Sequence, residues 1–356
     1  MTENFSLEKL SNTLSLSFRK LPVTTLFLGF LFGTFLQYAR LNRFDTIAGM
    51  ALLRNFSVAK TMAFAIGLGM LLMQVEIRMG WASDHIKPLI LFGIVGGGVL
   101  FGMGMAILGY CPGTLAISLG QGSLDALVGI LGGLVGAQFF AMVFPLLSPL
   151  LGPDLGTMSL RGSLSPATFW VALVLLGGGL MGVAFVLHRV DPRGWSWLYA
   201  AVGLTLLNVV LDLPAVAGHP MGASTAFPWL AMTLTGVGAP SYWHKIAEPG
   251  AWEFRFLVGA FLAGLIFSLV QKEFRFKAVP DLWREYHGNS PARRFFWAFV
   301  GGVLLLFGAR MAGGCTSGHI ISGGMQLAYS SLLFALVVFL SFLTTGRLFY
   351  RQGKAG

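Results

Sequence analysis

Gly104–Gln121 reads GMAILGYCPGTLAISLGQ, and Gly308–Met325 reads GARMAGGCTSGHIISGGM. Each stretch holds one of the two cysteines of the chain, Cys111 and Cys315. Each cysteine follows a long apolar run ending in glycines and opens a short run of small residues, after which a second apolar run begins. An offset of 204 residues lays Gly97, Gly98, Gly104, Gly109, Cys111, Ser118 and Gly120 on Gly301, Gly302, Gly308, Gly313, Cys315, Ser322 and Gly324. The two loops echo each other: a cysteine at the broken end of an apolar helix occurs twice.

The surrounding composition says what kind of helix is broken. The chain has 356 residues, 55% hydrophobic and 11% charged, with a mean hydropathy of +0.75. Soluble domains carry about 25% charged residues, so an all-α integral membrane protein is expected. Apolar runs of about 20 residues suit helices crossing a hydrocarbon core roughly 30 Å thick. The alternating segments of about 10 residues that build a membrane barrel are missing. Forty-eight glycines exceed what surface turns need; in membrane helices they permit close packing and breaks. The formal charge of +10 belongs to basic loops facing the lipid surface rather than to nucleic-acid binding. Two cysteines outside any CxxC pair make neither a disulfide framework nor a metal site, and no cofactor is expected.

About nine spans are expected, at 22–41, 59–76, 89–109, 124–147, 168–188, 195–213, 252–271, 293–314 and 328–347. Between them lie four segments too apolar and too rich in small residues for ordinary loops: 42–56, 111–122, 218–238 and 315–326. Irregular backbone at membrane depth persists only where protein or a polar cavity covers it, so these are expected as short re-entrant half-helices. Residues 1–20, with Leu7, Leu10, Leu14 and Phe18 at helical spacing, suit an interfacial amphipathic helix rather than a cleaved signal. The chain then reads as one membrane domain, 1–356, with a first repeat at 22–147, a linking span at 168–188 and a second repeat at 195–347. A single span between two four-span halves turns the second half upside down, the inverted-repeat plan of many transporters, with the site at the midplane. Arg54, Lys60, Arg189, Arg193, Lys272 and Arg284 fall on the more basic side. By the positive-inside rule that side is cytoplasmic, with the N-terminus outside and the C-terminus inside.

Within the first loop, Pro112 occupies the first helical position and Cys111 the cap. Proline is favoured there because its missing N–H has no partner to lose. The free N–H groups and the helix dipole beyond it make a small anion site, to which a thiol adds a weak donor and a polarizable sulfur. Thr316 replaces the proline in the second loop. A single buried cysteine is ordinarily a small apolar filler; two at matched repeat positions point to function. Arg43 and Asp45 lie at the first break and read either as functional charges or as a buried pair. Arg310 balances a passing anion or snorkels outward. Gln121 and Gln326 close the two cysteine loops with amides that bind an anion or cap backbone, and Ser224 and Thr225 offer hydroxyls at the third break. Asp125 is expected to cap the span after it. His319, close to Cys315, raises a Cys–His nucleophile, but no orienting partner is evident, and the chain is not expected to be an enzyme.

The pattern G-x-x-x-x-G-x-C-[PT] at both loops, the run Glu273, Phe274, Arg275 and the duplicated architecture resemble the YeeE/YedE family over nearly the whole chain. The resemblance implies a bacterial inner-membrane permease for a small sulfur anion, typified by thiosulfate. It also implies cysteines along a central path that hand the ion inward, Cys111 and Cys315 among them. A soluble sulfurtransferase of the TusA type is the implied cytoplasmic acceptor. The family's thiosulfate transporters carry a third cysteine in an R-F-C motif at the first break, where this chain reads Arg43, Phe44, Asp45. A related sulfur or selenium species is therefore an alternative cargo. Two other readings stand beside transport: a membrane sensor for the sulfur compound, and a thiol enzyme that passes on sulfane sulfur.

Overall fold

The computed structural model describes residues 22–351, so the amphipathic segment expected at 1–20 lies outside the described residues. The first half runs α1 (Pro22–Tyr38), α2 (Phe44–Ala51), α3 (Ser57–Met79), α4 (Leu91–Leu108), α5 (Pro112–Gly120) and α6 (Leu124–Leu147). A short α7 (Leu160–Ser163) and the long α8 (Pro166–Val190) lead to the second half. There follow α9 (Ser196–Asp212), α10 (Ala226–Thr235), α11 (Pro240–Val270), α12 (Asp281–His287), α13 (Pro291–Met311), a π-helical turn at Thr316–Gly323 and α14 (Tyr329–Phe349). No extended strand occurs among the described residues. An apolar environment leaves no water for backbone groups, so each crossing segment must satisfy its own as a helix.

Among the described residues, seven helices are long and apolar enough to cross a membrane, and the chain is a multi-pass, all-α membrane protein. Of the remaining expected spans, those at 22–41 and 195–213 form the 17-residue helices α1 and α9. The span expected from 252 begins at Pro240 and runs 31 residues. Proline at its first position starts the helix early, and polar residues such as Ser241, His244 and Lys245 fill turns that the hydropathy pattern read as loop. The four expected breaks hold α2, α5, α10 and the π-helical turn.

The crossing of α4 with α13 forms the centre. A β-carbon on Gly97 would sit 2.6 Å from the Gly308 carbonyl oxygen, and one on Gly104 would sit 2.7 Å from that of Gly301. Only glycine allows two helix backbones to approach this closely. The two contacts exchange when 204 is added to one residue and subtracted from the other. The same exchange relates a second pair: a β-carbon on Gly98 would meet Val337, and one on Gly302 would meet Gly133. Outside this seam α14 packs on α4, α6 on α13, α1 on α11, and α9 on α3. The α8 helix leans on α3, where Gly67 and Gly177 let the two backbones touch.

Candidate functional site

Both cysteines cap the short helices that follow them. Gly109, with φ of 76°, ends α4 in the left-handed region that suits glycine. Cys111 then turns the chain into α5 with Pro112 at the first helical position. Its backbone N–H donates to Thr114 Oγ1 at 2.9 Å, and the Thr114 hydroxyl lies 3.1 Å from Cys111 O and 3.4 Å from Sγ. Cys315 is 1% exposed, and its Sγ lies 3.2 Å from Ser317 Oγ. Both thiols are free.

The two loops meet. Thr316, the residue after Cys315, faces the Cys111 loop, and Cys315 lies within electrostatic reach of the Cys111 sulfur. Cys111, Gly113 and Thr114 share one cavity of about 480 Å³ with Thr316 and Ser317. Matched serines tie each loop to the half-helix segment beside it. Ser118 Oγ donates to Asn42 O at 2.7 Å, while Ser322 Oγ donates to Asn208 Oδ1 at 2.9 Å and lies 3.1 Å from Met221 O.

His319 does not serve Cys315. Its Nδ1 lies 2.9 Å from Ser331 Oγ, its Nε2 lies 2.9 Å from Ala312 O, and its ring packs on Phe334. With both nitrogens occupied and the residue fully buried, the imidazole is a brace for the loop.

At the face beside α2, a cavity of about 380 Å³ is lined by Arg43, Asp45, Gln121, Asp125, Lys272, Glu273 and Arg275, among others. Arg43 and Asp45 do not pair with each other. Arg43 joins Glu273, which also holds Arg40 at 3.3 Å. Asp45 Oδ1 accepts the Leu282 N–H at 2.8 Å, at the start of α12. A carboxylate at a helix N-terminus satisfies a free donor and the dipole together, so Asp45 positions α12. Gln121 Oε1 accepts from Asn42 Nδ2 at 2.8 Å. Gln326 is spent on structure: its Oε1 accepts the His85 N–H at 2.7 Å, and Nε2 lies 3.3 Å from Ser322 O.

Arg310 does not snorkel. It is 8% exposed, and its guanidinium donates to Ser224 Oγ at 3.3 Å and Thr225 Oγ1 at 3.1 Å, with Nε free of a protein partner. The N-terminus of α10 that follows is filled by the Glu253 carboxylate, which accepts from Thr225 N at 2.5 Å and Ala226 N at 3.3 Å. Lys87 completes this side. Its ammonium donates to Gly313 O at 2.7 Å and lies within electrostatic reach of Cys315, Arg310 and Glu253. Burial pushes that ammonium below its ordinary value. In the sequence Lys87 is one more charge between two spans, which gives no sign that it folds back onto the second cysteine loop.

Arg294 was equally silent. Its guanidinium holds Asp125 Oδ2 at 2.7 and 3.0 Å, and donates to Leu108 O at 2.6 Å and Ile107 O at 3.2 Å. Phe44 and Trp283 cover it at 4.5 and 4.8 Å. Asp125 therefore pairs with Arg294 instead of capping α6, and together they fix the end of α4 from which the Cys111 loop departs.

The sulphur transport family model matches residues 44–344. The chain belongs to that family. It is also similar to a thiosulfate transporter, TsuA, of Spirochaeta thermophila, with 26% identity over 350 residues that cover 92% of this chain and 99% of the relative. The matched region takes in both cysteine loops, the Asp45 break and the Lys87 segment.

Proposed function

We propose that this chain is a bacterial inner-membrane permease that carries a small sulfur anion, thiosulfate first among them, into the cytoplasm past Cys315 and then Cys111. The observation that carries this reading is the cavity both loops line, with Cys111 and Thr114 from one and Thr316 and Ser317 from the other. It brings the loop that holds Cys315 against the loop that holds Cys111, so an ion leaving one loop meets the other. The family match and the name of the relative supply the cargo class.

The chain's charges suit the task. A dianion entering a medium of low dielectric needs donors fixed in advance, because desolvation otherwise dominates. Lys87 and Arg310 supply positive charge beside Cys315. The start of α5 supplies N–H groups beside Cys111, where the helix dipole favours negative charge. Thiols make weak hydrogen bonds, which let the ion leave as readily as it enters. Glu253 and the Arg43–Glu273 pair keep the flanking cations from trapping it. The exchange of contacts across α4 and α13 supports reading 22–147 and 195–347 as inverted repeats, with α2, α5, α10 and the π-helical turn re-entrant. The basic face beside α2 is then cytoplasmic. Its cavity, with Lys272 and Arg275, is where a TusA-type sulfurtransferase would collect the cargo. Asp45 stands where the family has its third cysteine, with its Oδ1 held by the Leu282 N–H at the start of α12.

Cells without their own thiosulfate transporters, expressing this chain, are expected to take up radiolabelled thiosulfate, and Cys111→Ala and Cys315→Ala are each expected to abolish uptake at equal membrane levels. Full uptake in both variants would remove the thiols from the path. Uptake of selenium or other sulfur anions in place of thiosulfate would keep the path and change the cargo.

A further inference from the structure

The segment from Gly80 to Ile90 is a strap laid over the second cysteine loop. Lys87 Nζ donates to Gly313 O at 2.7 Å, Ser330 Oγ donates to Lys87 O at 2.8 Å, and His85 N donates to Gln326 Oε1 at 2.7 Å. The other anchor of the strap is unlike these. His85 Nδ1 lies 3.0 Å from Ser83 O within the strap and 3.1 Å from Oδ1 of Asp212, the last residue of α9, whose side chain is fully buried. Glu76, near the end of α3, is 6% exposed and lies within electrostatic reach of Asp212.

Neither carboxylate has a compensating cation of the permanent kind. Glu76 Oε2 and both carboxylate oxygens of Asp212 have no hydrogen-bond partner among the described residues, and the one cation that can face Asp212 is the His85 ring at 3.1 Å. The charges nearby are engaged elsewhere. Asp84 holds Arg161 at 3.3 Å, Arg78 lies over the Trp170 ring at 5.6 Å, and Lys87 is on Gly313. Buried carboxyl groups of Glu76 and Asp212, with the His85 ring against Asp212 alone, are costly to hold ionised together, since like charges in a low dielectric disfavour each other and isolated buried charge is expensive.

We infer that Glu76, Asp212 and His85 form a proton-binding site that latches the strap over Cys315. A proton taken from the solvent at that face neutralises Glu76 or charges His85, the Asp212–His85 contact holds the strap down, and Cys315 is covered. Loss of the proton leaves buried negative charge without a counter-charge, which water admitted under a lifted strap solvates, and the strap lifts. The Asp212 carboxylate beside the ring raises the His85 imidazole above its ordinary value. A raised histidine contributes its hold fully below the ordinary histidine range and loses it as pH rises through the raised value, so both effects close the strap in acid and open it in base. The site rests on the loop geometry alone and gives the proposed permease a proton to couple to its anion.

The test needs no cargo, so its failure leaves the transport reading standing, and failure of transport leaves this site standing. With Cys111→Ala as background, Cys315 is the sole thiol, and its rate of maleimide labelling is followed in the purified full chain between about pH 5.5 and pH 8, the range where histidine titrates. Thiolate chemistry alone raises the rate about tenfold per pH unit below the thiol pKa. The background protein is expected to rise more steeply than that. Adding Glu76→Gln is expected to restore the thiolate slope and leave Cys315 several-fold slower at the upper end. Adding His85→Gln removes no buried acid, so it remains testable if the first variant does not fold, and it is expected to move the opening step to lower pH. Superimposable profiles for the background and for either folded variant would overturn the inference.

Discussion

Arg294→Gln is expected to cost about 3–5 kcal/mol of stability, the usual penalty for leaving one member of a buried ion pair uncompensated. Arg294 and Asp125 are 0% and 1% exposed, so no water replaces the lost partner. The same change strips donors from Leu108 O and Ile107 O, carbonyls at a helix end that have no intrahelical N–H. The measurement is thermal unfolding in detergent, read against Asp125→Asn and the double variant. The account expects the double variant to recover part of the loss, because coupled partners are not additive. Equal and additive losses would mean that the guanidinium acts mainly through the carbonyls and the rings of Phe44 and Trp283.

Lys87→Gln is expected to raise the thiosulfate KM about ten- to a hundredfold, while Lys87→Arg keeps most of the affinity. The size follows from a charge-assisted hydrogen bond of about 1.5–3 kcal/mol, with about 1.4 kcal/mol per factor of ten. Arg310→Gln is expected to act in the same direction with an added loss of stability, because Ser224 and Thr225 lose their donor. Initial uptake rates against thiosulfate concentration check this. An unchanged KM in Lys87→Gln, with normal membrane levels, would place the entering anion elsewhere.

The features that depend on local pattern were legible in the sequence. The cysteine loops, their proline or threonine successors and the matched glycines predicted two broken helices, and the positions of α5 and the π-helical turn agree. Helix breaks are legible because glycine and proline act where they stand. Pairings across the fold were not legible. Arg43 and Asp45 are two residues apart and looked like partners, yet a helix start turns them to different neighbours, Glu273 and Leu282. Those neighbours lie more than two hundred residues away, and a single sequence carries no trace of such contacts. Asp125 fitted a cap by position, but a buried guanidinium competes better for a carboxylate than a backbone N–H does. Gln326 was read as binding an anion or capping backbone, and its amide takes backbone groups, one of them on a strap that falls outside any recognisable motif. His85, Lys87 and Glu76 shared the same obscurity. Hydropathy places them at span ends, where charges are ordinary.

The central claim is that this chain alone moves the anion and that it does so without keeping it. Purified protein in proteoliposomes, with no other component, tests it by accumulation of radiolabelled thiosulfate inside, followed by intact mass of the same protein. The account predicts accumulation that is lost in both cysteine-to-alanine variants, with the mass of the parent chain unchanged. A stable gain of about 32 daltons, one sulfur atom on a cysteine, with no accumulation inside, would contradict it and make the chain a carrier of sulfane sulfur.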